Sequence, residues 1–184
     1  MSLLIVVLIA IFVLIGLIFI YYFNRFAILS NRIDNSLSQI DVQLKKRADL
    51  VPNLIETVKG YTKHEKSILT EVTKARTSVL GARDFGARMK AGAKLGSALG
   101  SLFAVAENYP QLKANENFLQ LQQELAAIED RVAYARQAYN DSILSYNNSV
   151  ETFPGAMFAN MYGHKEKTFL QIPAEEKKVP QVSF

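Results

Sequence analysis

Hydrophobic positions in this chain follow two regimes. From Leu3 to Ile20 they are continuous, 18 residues with no charge and almost no polar group. From Phe26 onward they recur every three or four residues. Extended to Tyr22, the first run covers roughly 30 Å at 1.5 Å per residue, the hydrocarbon thickness of a bilayer. It predicts an N-terminal transmembrane helix with Tyr21, Tyr22, Phe23 and Arg25 at the membrane interface. A cleaved signal peptide would need a basic start, a shorter apolar stretch and a small-residue cleavage site, and none of these is present. Basic residues follow the span (Arg25, Arg32, Lys45, Lys46, Arg47) and none precedes it. The N-terminus is therefore expected outside and the remainder in the cytoplasm.

Beyond the span, Phe26, Ser30, Ile33, Leu37, Ile40 and Leu44 alternate steps of four and three, the seam of a helix packed along another helix. The stepping continues through Val51, Leu54, Val58, Tyr61, Glu65, Ile68, Val72, Ala75 and Val79, with Pro52 in its path. Leu50-Val51-Pro52 is apolar and contains none of the usual reversal residues, so one long helix bent near Pro52 is expected rather than a hairpin. Later, Phe118, Leu125, Val132, Tyr139, Tyr146 and Phe153 recur every seven residues. This predicts a helix from Asn115 to Phe153, roughly 58 Å long. Asn115 or Asn117 can cap its start and Pro154-Gly155 stops it.

Between these helices, Gly92, Gly96, Gly100 and Ala104 are spaced by four and would form a smooth face for close helix approach or self-association. Glycine weakens a helix, so a short, marginal helix is expected there. The basic stretch before it, with Arg83, Arg88, Lys90 and Lys94 against Asp84 alone, reads as a mobile, exposed hairpin end. The expected fold is all-α: an N-terminal transmembrane helix (1–24) followed by an antiparallel bundle of long helices of four-helix-bundle type (25–163). An extended C-terminal tail (164–184) completes the chain.

Composition adds exclusions. There is no cysteine, which removes disulfides, cysteine metal clusters and thiol chemistry. Residues 25–94 carry net +7 and residues 95–184 net −3, so antiparallel pairing of front and back halves is electrostatically favourable, within one chain or between chains. The bland alternative is solvated helix faces worth a few tenths of about 1 kcal/mol per pair. Nucleic acid is not expected, because the basic residues lack an aromatic platform. Beside an anchor they point instead to anionic lipid.

The chemical motifs fail one by one. His64-Glu65 opens like a zinc-protease motif, but Ile68 stands where the second histidine belongs. Gly92 to Ser97 lacks the phosphate-loop spacing. A polar set of Asn35, Gln39, Arg136, Asn140, Asp141 and Asn147 flanks the apolar seams. It reads either as a buried acid-amide-guanidinium site or, preferably, as hydrogen-bonded residues fixing helix register, with Tyr139 and Tyr146 beside them in the packing. On that reading Asn140→Leu preserves or raises stability. No enzyme activity, catalytic residue, metal, cofactor or small-molecule substrate is expected.

The strings NRIDNSLSQIDVQLKKRADLVPNLIETVKGY (Asn31 to Tyr61), LFAVAENYPQLKANENFLQLQQEL (Leu102 to Leu125) and RQAYNDSILSYN (Arg136 to Asn147) resemble the LemA family. So do FPG (Phe153 to Gly155) and the closing PQVSF (Pro180 to Phe184). The resemblance implies a single-pass protein of the bacterial inner membrane with a short outward N-terminus and a cytoplasmic helical bundle. It implies no reaction.

Two regions look like contacts. Phe153, Met157, Phe158, Met161 and Tyr162 have helical spacing and form an amphipathic stretch for the bundle itself, the membrane surface or a neighbour. Val182-Ser183-Phe184 has the form of a carboxyl-terminal peptide captured as an added strand, set against a frayed tail. The expected function is a membrane-anchored helical scaffold or adaptor that forms homo-oligomers or docks partners. Membrane organisation through anionic lipid is one alternative. The other is an accessory subunit of a membrane protease or transporter, held through the tail.

Overall fold

A computed structural model describes residues 2–62 and 65–171 of the chain. These fold as α-helices and short connections with no strand among them, and the protein is all-α. Helix α1 runs Ser2–Lys59, α2 Lys66–Gly81, α3 Phe85–Ala106, α4 Pro110–Lys113, α5 Glu116–Glu151 and α6 Gly155–Tyr162. They divide into two compact units, Ser38–Ala135 and a second made of α1 up to Leu37 with Arg136–Gln171.

In the first unit the direction of each helix follows from its contacts. Asp41, Leu44 and Arg47 of α1 meet Arg88, Gly92 and Gly96 of α3 in rising order, so α1 and α3 run parallel. Arg47 pairs with Glu129 of α5, while Tyr61 accepts from Asn115 at 3.0 Å, so α5 runs against α1. Helix α2 returns between α1 and α3, giving an up-down-up-down bundle. Its core is the expected seam: Ile40, Leu44, Val51, Leu54, Val58, Val72, Leu95, Leu99, Leu102, Phe118, Leu125 and Val132 are each at most 2% exposed. At about 25 cal/mol per Å² of apolar surface removed from water, this stripe holds the bundle together.

The seam is right but the first helix is not continuous to Val79. It ends at Lys59, and α2, which begins at Lys66, runs the other way. Val58 O closes the helix by accepting from the amides of Tyr61 and Thr62, at 3.0 and 3.1 Å, and from Thr62 Oγ1. The apolar spacing carries across the turn in phase because both arms bury the same stripe, so periodicity alone does not reveal the break. Pro52, where a bend was expected, lies within α1. Having no N–H, it leaves the carbonyl four residues back without a helical donor. That carbonyl is Ala48 O, and Arg76 Nε of α2 donates to it at 2.9 Å.

A cross-element bond thus replaces the one proline removes. Arg76→Leu is expected to destabilise the protein by about 1–2 kcal/mol, in the range of a charge-assisted hydrogen bond. In a Pro52→Ala background, where residue 52 supplies its own amide, the same change should cost much less. A double-mutant cycle by denaturant titration measures the difference, and equal costs in both backgrounds would show that Arg76 does not serve this carbonyl.

The basic stretch expected as a mobile, exposed hairpin end enters α3 at Phe85. Asp84 caps α3 by accepting from Ala87 N at 2.8 Å, and Arg88 bonds Asp41 and, at 3.1 Å, Ala82 O. The short, marginal helix is in fact 22 residues long. Its glycines near α1 make room: a Cβ on Gly92 would lie 2.7 Å from Leu44 Cδ2, and one on Gly96 3.4 Å from both Arg47 Nη atoms. Asn115 caps α5, accepting from Phe118 N at 2.9 Å.

In the other unit, α1 and α5 again run antiparallel, tied by Arg25 Nε to Ser149 Oγ (2.9 Å) and by Ser36 to Ser142 (3.2 Å). Leu29, Ile33, Ile143 and Tyr146 form their common core, flanked by Tyr139 and Val150. Helix α6 stops at Gly163, whose φ of 75° is the left-handed conformation that glycine adopts without penalty. The residues from His164 to Gln171 then continue without regular secondary structure.

Candidate functional site

The most specific arrangement lies in the unit that contains the apolar run. That run forms the start of α1, is long and apolar enough to cross a bilayer, and buries none of its residues inside the protein. An apolar helix of this length with no protein cover has lipid as its natural solvent.

Helix α6 packs against the end of this segment. Phe158 stacks on Tyr22 with ring centroids 4.8 Å apart and meets Phe19 edge-on at 5.0 Å. Tyr162 meets Phe23 at 5.7 Å and donates from its hydroxyl to Phe19 O at 3.2 Å. Such aromatic pairs contribute about 0.5–1.5 kcal/mol each beyond the area they bury. Gly155 permits the approach: a Cβ there would lie 2.2 Å from Ser149 O and 3.3 Å from Tyr22 Cε1. On α6 itself Met157 is 64% and Met161 54% exposed, and Phe153 just before it is 83% exposed. Phe153, expected as the last position of the heptad seam, lies beyond the end of α5 at Glu151 and is not part of the packing.

Below α6 the chain turns back along α5 and is held by two asparagines. Asn147 Nδ2 donates to Lys167 O at 2.8 Å, and Asn147 Oδ1 accepts from Lys167 N at 2.9 Å. Asn140 repeats the pattern on Leu170, at 3.2 and 2.9 Å. Seven helical residues rise about 10.5 Å, and three extended residues span about 10 Å, so the two repeats match. The paired amides treat the segment as a neighbouring strand would, reading backbone rather than side chains. Asn140 and Asn147 were expected to fix register between helices; the structure places them on the C-terminal segment instead.

Around them, His164 Nδ1 lies 3.1 Å from Tyr146 Oη, and the His164 ring is 4.7 Å from that of Phe26. Lys167 Nζ sits 5.0 Å over the Tyr146 ring and 3.4 Å from Ser30 Oγ. Burial pushes the Tyr146 hydroxyl above its ordinary pKa. Burial, and secondarily the charge of Asp34, does the same for Tyr139. Both phenols therefore remain neutral donors through physiological pH.

Of the residues singled out in the sequence, Tyr22, Phe23, Tyr146, Asn147, Asn140, Phe158 and Tyr162 come together here. Tyr21 joins them by accepting from Arg25 Nη1 at 2.9 Å. Gly92 and Gly96 face α1 in the other unit, whereas Gly100 and Ala104 are exposed on α3. Val182 and Phe184 lie outside the described residues, as does His64. The sequence reading missed Ser149, Lys167 and Leu170, and named Gly155 only as a helix stop and as part of FPG. The FPG motif was the available signal for the glycine. The seven-residue spacing of the asparagines was the signal for a ladder, but nothing local names its partner. Among the described residues no group of three or more His, Asp or Glu side chains is placed to hold a metal ion.

Comparison with known proteins bears on this arrangement. The chain is similar to the magnetosome protein MamQ 2 of Paramagnetospirillum magneticum, 25% identical over 175 residues that cover 81% of this chain and 64% of the relative. It is similar to the magnetosome protein MamQ of Magnetospirillum gryphiswaldense, 24% identical, covering 87% of this chain and 70% of the relative. It is also similar to the protein LemA of Metamycoplasma hominis, 28% identical over 124 residues, covering 67% of this chain and 57% of the relative. The chain thus spans less than two thirds of the length of some relatives it matches. The family model described as the LemA family matches residues 36–184, which take in most of the bundle, the asparagine ladder and the FPG turn. With its apolar N-terminal segment and the helices that follow it, this is a membrane-associated helical protein, and the chain belongs to the LemA family.

Proposed function

We propose that this protein is a non-enzymatic, membrane-anchored helical scaffold or adaptor. Its bundle stands on the cytoplasmic face of a bacterial inner membrane and there self-associates or docks partner proteins. The observation that carries this reading is the grip of α5 and α6 on the first turns of α1 beyond the apolar run. Arg25 is held by Ser149, and the rings of Phe19, Tyr22 and Phe23 meet those of Phe158 and Tyr162. A helix that is clasped at once beyond its apolar run fixes the unit around it to the anchor, which docking at a membrane face requires and a flexible tether does not supply. The orientation with the N-terminus outside follows from the basic residues after the span.

The mass of the full-length protein in nanodiscs, by mass photometry, tests the self-associating form. A defined homo-oligomer is expected. A clean monomer would remove self-assembly and leave the adaptor, which then has to be found with a protein partner.

A further inference from the structure

Beside the clasp, a groove of about 550 Å³ opens between α1 and α5. We propose that it is a binding site for one anionic phospholipid, with the phosphate taken by Arg25 and Arg32 across Ile28 and the membrane-side part of the lipid laid on Tyr21. This rests on the reading of the N-terminal run as a membrane span.

Four observations converge on it. First, the charge is one-sided: Arg25 and Arg32 line the groove with Asn24, Ser145 and Asn148, and no carboxylate lines it. Second, the arginines are available. Tyr21 Oη and Ser149 Oγ take one donor each from Arg25, leaving three of the five that a guanidinium carries. The Arg32 side chain has no hydrogen bond or ion pair among the described residues. The planar fork of arginine matches phosphate oxygens in a way that an ammonium does not.

Third, the depth is right. Arg25 lies four residues, about 6 Å, past Tyr21, and the polar layer outside the hydrocarbon is about 5–8 Å thick on each side. Arg32 is about 10 Å farther along α1, but helical side chains lean toward the N-terminus, which returns its guanidinium toward the bilayer. Fourth, the groove carries apolar surface beside its cations. Tyr21, at the membrane end, is 54% exposed and Ile28, between the two arginines, 53%, surface that suits the glycerol part of a lipid and does nothing for free phosphate.

The test uses the full chain in nanodiscs of mixed phosphatidylglycerol and phosphatidylcholine, with the lipid retained after detergent extraction counted by native mass spectrometry. Wild type is expected to keep phosphatidylglycerol in preference, about one molecule per chain. Arg32→Gln and Arg25→Gln should each lower that preference about fivefold, as expected for one basic residue at a membrane surface. Arg32→Gln, which breaks no hydrogen bond or ion pair among the described residues, should do so with an unchanged Tm. Undiminished preference in both variants overturns the site. Loss of the retained lipid on adding inorganic phosphate overturns the lipid as its ligand.

A Met157→Trp reporter separates this failure from that of the membrane reading, since the chain has no other tryptophan. Quenching by brominated lipid together with undiminished preference in the arginine variants removes the groove alone. A reporter that only aqueous iodide quenches removes the membrane placement and the groove together.

Discussion

Gly155→Ala is expected to lower the unfolding free energy by about 2–3 kcal/mol, the upper part of the range for forced overpacking. The added methyl would lie 2.2 Å from Ser149 O and 3.3 Å from the Tyr22 ring. The first neighbour is backbone of α5 and cannot rotate away, so the relief has to come from α6 backing off. That movement would pull Phe158 from between Phe19 and Tyr22 and break the Tyr162 bond to Phe19 O. The loss should therefore appear both in denaturant titration and as faster amide exchange throughout α6. Gly100→Ala is the matched comparison. Nothing lies within 4 Å of its would-be Cβ, and at an exposed helical position alanine should stabilise by up to about 1 kcal/mol. If the two substitutions had the same sign, close approach at Gly155 would not be what holds α6 on the anchor.

Asn147→Ala should free the C-terminal segment. Asn147 is buried, and both ends of its amide are committed to Lys167. Truncation removes two hydrogen bonds and leaves their backbone partners half-buried without replacements, a cost of about 1–3 kcal/mol. The direct readout is amide exchange at Lys167, where rates should rise many-fold, with a smaller rise at Leu170 because Asn140 still holds it. Asn147→Asp should not rescue: it keeps an acceptor for Lys167 N but sets an oxygen against Lys167 O. Asn140→Leu should likewise weaken the segment and lower stability, the reverse of what an interhelical role predicts. Unchanged exchange at Lys167 in Asn147→Ala would mean that the ladder does not hold the segment in solution.

What the sequence by itself determined is whatever depends on neighbours along the chain. The charge-free run to Ile20 read as an anchor, the steps of three and four from Phe26 gave the buried seam, and Asn115 was legible as a cap because its acceptor and the amide it serves are three residues apart. These are local regularities, and hydrophobic burial enforces them whatever the partner.

Tertiary structure alone decided the rest. The change of direction between α1 and α2 is invisible to a period that continues in phase across it. At Pro52 the sequence shows the donor that proline lacks but not Arg76, which arrives from another helix to replace it. The polar character of Asn140 and Asn147 was plain, yet an amide carries no mark of its partner, and theirs is an extended segment that folds back only after α6 has been placed. Period and cap are written in adjacent residues. The partner of a hydrogen bond between distant parts of the chain is chosen only when packing brings its atoms within 3 Å.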